Sequence, residues 1–213
     1  RPPGPEFEVT TCSTRTQTLP AIAMRPGGEF VVVWRHDVQY AGRVFGQRYD
    51  ASGAPLGGEF QVGVATAPAE NPAIAAATSG GFLVVWERSS TVRAQRFDAA
   101  GLPVTGEFVV NTHPTSPTYF GNGKPEVTAD GTGFMVVWQT IQDDPILADV
   151  RAQRLDDAGL RVGDEFQINS YTLGQQSSPR VAIDGAGNFC VTWWGYATEV
   201  FGQVNKPDRP IRG

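Results

Sequence analysis

A phrase of about fifty residues is written four times along this 213-residue chain. An apolar run ends in Trp34, Trp86, Trp138 and Trp193, spaced 52, 52 and 55 residues apart. Four positions before each tryptophan stands a phenylalanine: Phe30, Phe82, Phe134 and Phe189. Pro20, Pro72, Pro125 and Pro179 each open a shorter apolar run upstream. An "EF" dipeptide recurs at Glu6, Glu59, Glu107 and Glu165, and a glutamine at Gln47, Gln95, Gln153 and Gln203. A period of this size marks a propeller, a solenoid or an array, because one such unit cannot bury its apolar face alone.

Each period holds four strand candidates: A ("PAIAM"), B ("EFVVVW"), C ("RVFGQRYD") and D ("GEFQV"). Strand B is apolar at every position, which predicts burial on both faces, as in a sheet packed between two other sheets. The A–B links "RPGG", "TSGG", "ADGTG" and "DGAGN" are glycine-rich hairpin turns. The C–D links begin with Asp and place Gly three residues on, a turn signature. Four antiparallel strands in tight succession, repeated, describe a propeller blade.

The strands count out as D, then ABCD three times, then ABC. The sequence therefore predicts an all-β, four-bladed β-propeller of sixteen strands, with the N-terminal strand completing the last blade. Such closure removes two exposed sheet edges. The predicted single domain spans 1–213, with blades at about 20–62, 72–110, 125–168, and 179–205 plus 6–9. The rival arrangement is an open array or part of a larger propeller.

Bulk properties narrow the partners. The formal net charge is -5, and the 17 Lys and Arg are spread along the chain. A nucleic-acid binder shows a basic patch instead. No run approaches the roughly 20 apolar residues of a membrane helix. The start "RPPGPEFEV" lacks an apolar signal core, so a leader either never existed or has been removed.

The blade text "P-x-[IV]-A…G-x-F-x-V-V-W…[AG]-Q-R-[FY]-D-A-x-G…E-F-x-V-N", running from Glu6 to Asn205, resembles tandem repeats of large secreted and cell-surface bacterial proteins. The resemblance implies a propeller and a secreted, periplasmic or cell-surface location. It implies little about activity, and fold alone never fixes function.

Trp34, Trp86, Trp138 and Trp193 are predicted to be inter-blade core. Arg48, Arg96 and Arg154 stand two residues before Asp50, Asp98 and Asp156, on the same strand face. They are predicted to be structural pairs, because the fourth repeat loses both residues together, to Val204 and Asn205. Cys190 lies in the fourth B strand and Cys12 just after the first D strand. A Cys12–Cys190 disulfide would lock the closure, although those two positions are not neighbours within a blade.

Binding is expected where the repeats differ. Trp194, Tyr196, Tyr171, Tyr119 and Phe120 are candidates for an aromatic surface near blades three and four. Aromatic rings suit a protein partner or the flat face of a sugar. Asp143, Asp144 and Asp149 are candidate calcium ligands, though they lack the EF-hand order. No other cofactor is indicated. Glu126 and Arg180 occupy one position in adjacent A strands and are placed to pair at the channel mouth. The only histidines, His36 and His113, are read as solvated loop residues, and no linear catalytic motif is present. The resulting expectation is a non-catalytic propeller contacting protein partners in a cell-envelope or extracellular assembly, through adhesion or as an accessory subunit. The alternative is a carbohydrate-binding propeller. An enzyme with a site built from scattered loop residues ranks third.

Overall fold

Each Phe-to-Trp run becomes the second strand of its own antiparallel sheet. The computed structural model describes residues 6–11, 15–38, 41–64, 68–112, 122–141, 147–195 and 199–205. The first sheet orders β1 (Gln17–Met24), β2 (Phe30–Val38), β3 (Ala41–Tyr49) and β4 (Phe60–Val62). The second orders β5 (Glu70–Ala76), β6 (Phe82–Arg88), β7 (Thr91–Phe97) and β8 (Phe108–Val109). The third contains β9 (Asn122–Ala129), β10 (Gly133–Ile141), β11 (Ala148–Asp156) and β12 (Arg161–Gln167). The fourth has three strands, β13 (Ser177–Ile183), β14 (Phe189–Trp194) and β15 (Val200–Asn205). Among the described residues no helix is long and apolar enough to cross a membrane.

The runs Phe82 to Trp86 and Phe134 to Trp138 are apolar throughout because sheets cover both of their faces. Phe82, Val84 and Trp86 pack with Val31, Val33, Val44 and Val62 between sheets one and two. Leu83 and Val85, on the opposite face of β6, meet Phe134, Val136 and Trp138 of sheet three. Met135 and Val137 in turn meet Phe189, Val191 and Trp193 of sheet four. Every residue of β10 is buried. A period-2 strand pattern thus places alternate side chains in successive interfaces.

Arg48, Arg96 and Arg154 each reach the next sheet, and not the aspartate two residues on as expected. Arg48 Nη1 donates to the carbonyl of Ala99 at 3.1 Å. Arg96 Nη2 donates to the Gly80 carbonyl at 2.8 Å, its Nε donates to the Asp157 carbonyl at 3.0 Å, and its guanidinium stands over the Phe134 ring. Arg154 pairs with Asp130 at 3.4 Å and donates to the Gly187 carbonyl at 3.3 Å. The aspartates cap their own turns. Asp50 Oδ1 accepts from Ser52 and Ala54, Asp98 Oδ1 from the Leu102 N–H, and Asp156 Oδ1 from the Leu160 N–H. Spacing put each Arg and Asp on one face, but a long arginine finds carbonyls across the interface while a short aspartate finds its own turn's amides.

These turn carboxylates make the fold acid-sensitive. The Ser52 hydroxyl holds Asp50 below its ordinary value of 3.8, and the Asn188 amide does the same for Asp184. At Asp130, burial pushes upward, but the Thr132 hydroxyl and N–H and the Arg154 charge outweigh it, so that carboxyl is also lowered. A depressed folded pKa contributes stability above the unfolded value, lost as pH falls through the folded value. The melting temperature should therefore fall between pH 5 and pH 2, more steeply for the parent than for Asp130→Asn, as thermal melts across that range will show.

The expected closure by the N-terminal strand is not made. Residues 6–10 belong to no strand, and β15 pairs only with β14. The N-terminal segment lies instead on sheet one. The Tyr49 hydroxyl donates to the Val9 carbonyl at 2.9 Å, Phe7 tilts against Tyr49, and Val9 packs on Val32 and Trp34. The side chain of "EFEV" found the face it was patterned for, while its backbone edge found no partner strand.

Candidate functional site

The A strands line the middle of the molecule, β1 beside β5, β5 beside β9 and β9 beside β13. Between them lies a cavity of about 400 Å³. Its walls are Ala21, Ile22, Ala73 and Ile74, and its polar rim carries Asn71, Lys124, Glu126, Ser178 and Arg180.

A repeated backbone irregularity builds that rim. Every A strand breaks register just before its proline, between Thr18 and Ala21, between Glu70 and Ala73, opposite the Val137–Gln139 step, and between Ser177 and Arg180. Leu19, Asn71, Lys124 and Ser178 adopt left-handed φ values of 53°, 48°, 48° and 53°. For a non-glycine residue this costs on the order of 1–3 kcal/mol, and it persists only where neighbours impose it. A bulge re-aims a side chain, and here it points three polar residues into one space.

Hydrogen bonds tie the rim together. Lys124 Nζ donates to Ser178 Oγ at 3.1 Å. Arg180 Nη1 donates to Glu126 Oε2 at 2.9 Å, the pairing that the sequence placed at the channel mouth. Asn71 Nδ2 donates to Glu87 Oε2 at 2.9 Å, and the Lys124 N–H approaches the same oxygen at 3.4 Å. Burial raises the Glu126 pKa above its ordinary 4.5, and the Arg180 charge and hydrogen bond offset only part of the rise. A raised folded pKa favours the protonated form, so this carboxyl contributes stability at low pH that is lost as pH rises through its folded value.

In sheets one to three the residue after the repeat tryptophan clips the next A strand. Arg35 bridges Asp37 at 2.8 Å and Glu70 at 2.7 Å. Glu87 holds the start of β9 as described, and Gln139 Oε1 accepts from the Ser178 N–H at 3.3 Å. Trp194 holds this position in sheet four and is 41% exposed. Sequence reading singled out Trp194 but missed Asn71, Lys124 and Ser178. Their signal was available, since each precedes a repeating proline and differs between repeats.

Of the aromatic surface, Trp194 and Tyr171 are exposed, and no ring contact joins them. Tyr119, Phe120 and Tyr196 lie outside the described residues. So do Asp143 and Asp144, while Asp149 Oδ1 accepts from Asn169 Nδ2 at 2.7 Å. Among the described residues no group of three or more His, Cys, Asp or Glu is placed to hold a metal. Cys190 is a free, half-buried thiol, and Cys12 lies outside the described residues. His36 is not a solvated loop residue: β2 runs past the tryptophan to Val38, and the imidazole is buried against Phe45. His113 lies outside the described residues.

No protein-family model matches the chain, and no curated protein sequence matches it. Solved structures do match in backbone. A Penicillium chrysogenum α-L-arabinanase complexed with arabinobiose aligns with TM-score 0.65 at 12% identity, over 90% of this chain and 64% of its own. An endo-arabinase from Bacteroides thetaiotaomicron aligns with TM-score 0.59 at 12% identity, over 93% and 78%. A Bacillus subtilis arabinanase aligns with TM-score 0.54 at 10% identity, over 88% and 72%. At such identity the likeness is one of fold.

These neighbours overturn two expectations. The sequence was read as a non-catalytic adhesion or accessory subunit contacting proteins, and as no enzyme. That reading leaned on the absence of a linear catalytic motif. The structures sharing this backbone are arabinanases by name, so in this fold a missing linear motif is no argument against catalysis. The chain is similar in backbone architecture to these arabinanases.

Proposed function

We propose that the chain is a carbohydrate-processing propeller that holds a glycan at its channel mouth, with Glu126 as the proton donor. The observation carrying this reading is Glu126 itself, a carboxyl on the rim of the cavity whose burial raises its pKa. A carboxyl kept protonated above the usual range can hand its proton to a departing glycosidic oxygen. Arg180 fixes its orientation at 2.9 Å. Glycoside hydrolysis needs a second carboxylate, and the candidate is Glu87, which accepts from two rim residues, Asn71 Nδ2 and the Lys124 N–H. Asn71, Lys124 and Ser178 offer amide, ammonium and hydroxyl groups to sugar hydroxyls. The arabinanase neighbours support an arabinose-containing polymer as the first substrate to try. A secreted or surface location suits a polymeric glycan.

The test is release of reducing ends from arabinan and a panel of other polysaccharides, run beside a glycan array. Glu126→Gln should cut the rate by about 10²-fold or more while leaving array binding intact. Binding without any release would reduce the role to a lectin. Neither binding nor release on any glycan would end the carbohydrate reading.

A further inference from the structure

Three of the faces between blades are built alike, which makes the unmatched faces easy to recognise. In each built interface the C strand sends a valine towards the following sheet. Val44, Val92 and Val150 hold that position, and all three are fully buried. Register places Val200 of β15 there in sheet four, and it is 78% exposed. Four positions along β14 from Trp194, the register partner of Val200, Cys190 is half-buried where Val31, Leu83 and Met135 are buried. On the opposite flank of the molecule, Ile22 of β1 aligns with Ile74 of β5 and Val127 of β9. Ile74 and Val127 are each 7% exposed against the preceding sheet, and Ile22 is 59% exposed. Among the described residues, no packing of the kind that joins β9 to β13 joins β13 to β1.

The N-terminal segment shows what belongs between these faces. Residues leaving one D strand are capped by the glutamate of the next: the Val64 N–H donates to Glu107 at 3.1 Å and the Thr112 N–H to Glu165 at 2.6 Å. The Thr11 N–H donates to Glu59 at 2.6 Å in the same way. Phe60 packs on Phe82 and Phe97 of the following sheet, and Phe7 packs on Tyr49, the counterpart of Phe97. Residues 6–11 therefore hold, against sheet one, the place that a D strand holds against the sheet after it. Among the described residues no A, B or C strand flanks them on their other side, and sheet four has three strands.

We infer that the two open faces form a socket for one further blade of this chain's own repeat, in the order D-A-B-C. Its D strand would pair with the free edge of β15. Its B strand would cover Val200 and Cys190 with one face and meet Ile22, Trp34 and the N-terminal segment with the other. Each face it needs is already met three times in the molecule, so both matches continue an established interface. The inference is independent of the sugar reading.

The first experiment places a duplicate of residues 50–97 directly after Asn205, replacing the natural tail. The expected product is a monomer that melts at least 10 °C above the parent, a rise of roughly 3–5 kcal/mol for a chain of this size. An unchanged or lower melting temperature in a folded fusion overturns the inference. A second experiment needs no fusion. In a Cys12→Ser, Cys190→Ser background, Val9→Cys and Val200→Cys are combined, the pair that would face each other if residues 6–9 closed the ring directly, as Val62 faces Val44. The pair should stay reduced under mild oxidation in a monomeric protein. Rapid disulfide formation would show direct four-blade closure, and a parent that is a stable dimer protected at Val200 would show a second copy in the socket. Either result overturns the proposal.

Discussion

Trp86→Ala should destabilise the fold by about 3–5 kcal/mol. Trp86 is fully buried at the centre of the interface between sheets one and two, against Val31, Val33, Val44 and Val62. The surrounding strands are fixed in two sheets, so they cannot collapse into the space the indole leaves. The fit is close on the loop side as well, since a Cβ on Gly63 would lie 2.7 Å from the ring. For a chain of this length each kcal/mol is worth roughly 2–4 °C, so the melting temperature should drop by about 6–20 °C. Trp34→Ala should cost clearly less. Trp34 is equally hidden, but its cover includes the single N-terminal segment at Val9, which can follow the receding surface. Thermal melts of both variants followed by circular dichroism provide the comparison, and equal losses would mean that Trp34 sits in as rigid an interface as Trp86.

The second large effect is electrostatic. Glu107→Ala should also cost about 3–5 kcal/mol, because it strips a buried arginine of its counter-charge. Arg88 is 7% exposed and pairs with Glu107, which also lies 3.5 Å from Arg93. Without Glu107, Arg88 keeps one carbonyl partner, Val64, at 3.2 Å, and the Val64 N–H loses its acceptor. The pair itself need not be strongly stabilising, since desolvation of two charges opposes their attraction. The double variant Arg88→Met, Glu107→Leu should therefore recover most of the loss in denaturant titrations. A double variant as unstable as Glu107→Ala would show that the ion pair is a net contributor.

The repeat positions differ in how far a sequence can specify them. Phe82 to Trp86 reads as a strand buried on both faces because alternation is missing, and each residue's local choice agrees with the fold around it. The Arg180–Glu126 pair was legible because the two residues share one position in adjacent repeats, and neighbouring blades bring such positions together. Arg96 was legible as structural, but its partners were not. Strand spacing says which face a side chain takes and is silent on which carbonyls of the next sheet, that of Asp157 among them, stand within its reach. Asn71, Lys124 and Ser178 escaped notice because their orientation follows from a bulge and a left-handed φ, which no hydrophobic pattern encodes.

The sequence alone determined the strands, their turns, the order of the sheets and the faces by which successive sheets meet. All of these follow from periods of two and of about fifty residues, and depend only on near neighbours. The tertiary structure decided whether the ring closes. Closure depends on the sum of the angles between blades, to which every interface contributes a little and no single residue much. The same "EFEV" that patterned for a fourth-blade edge therefore came to rest on sheet one with its own edge unpaired. The structure likewise decided that the rim of the cavity gathers polar groups at one place, because the bulge and left-handed φ that turn them inward are backbone features.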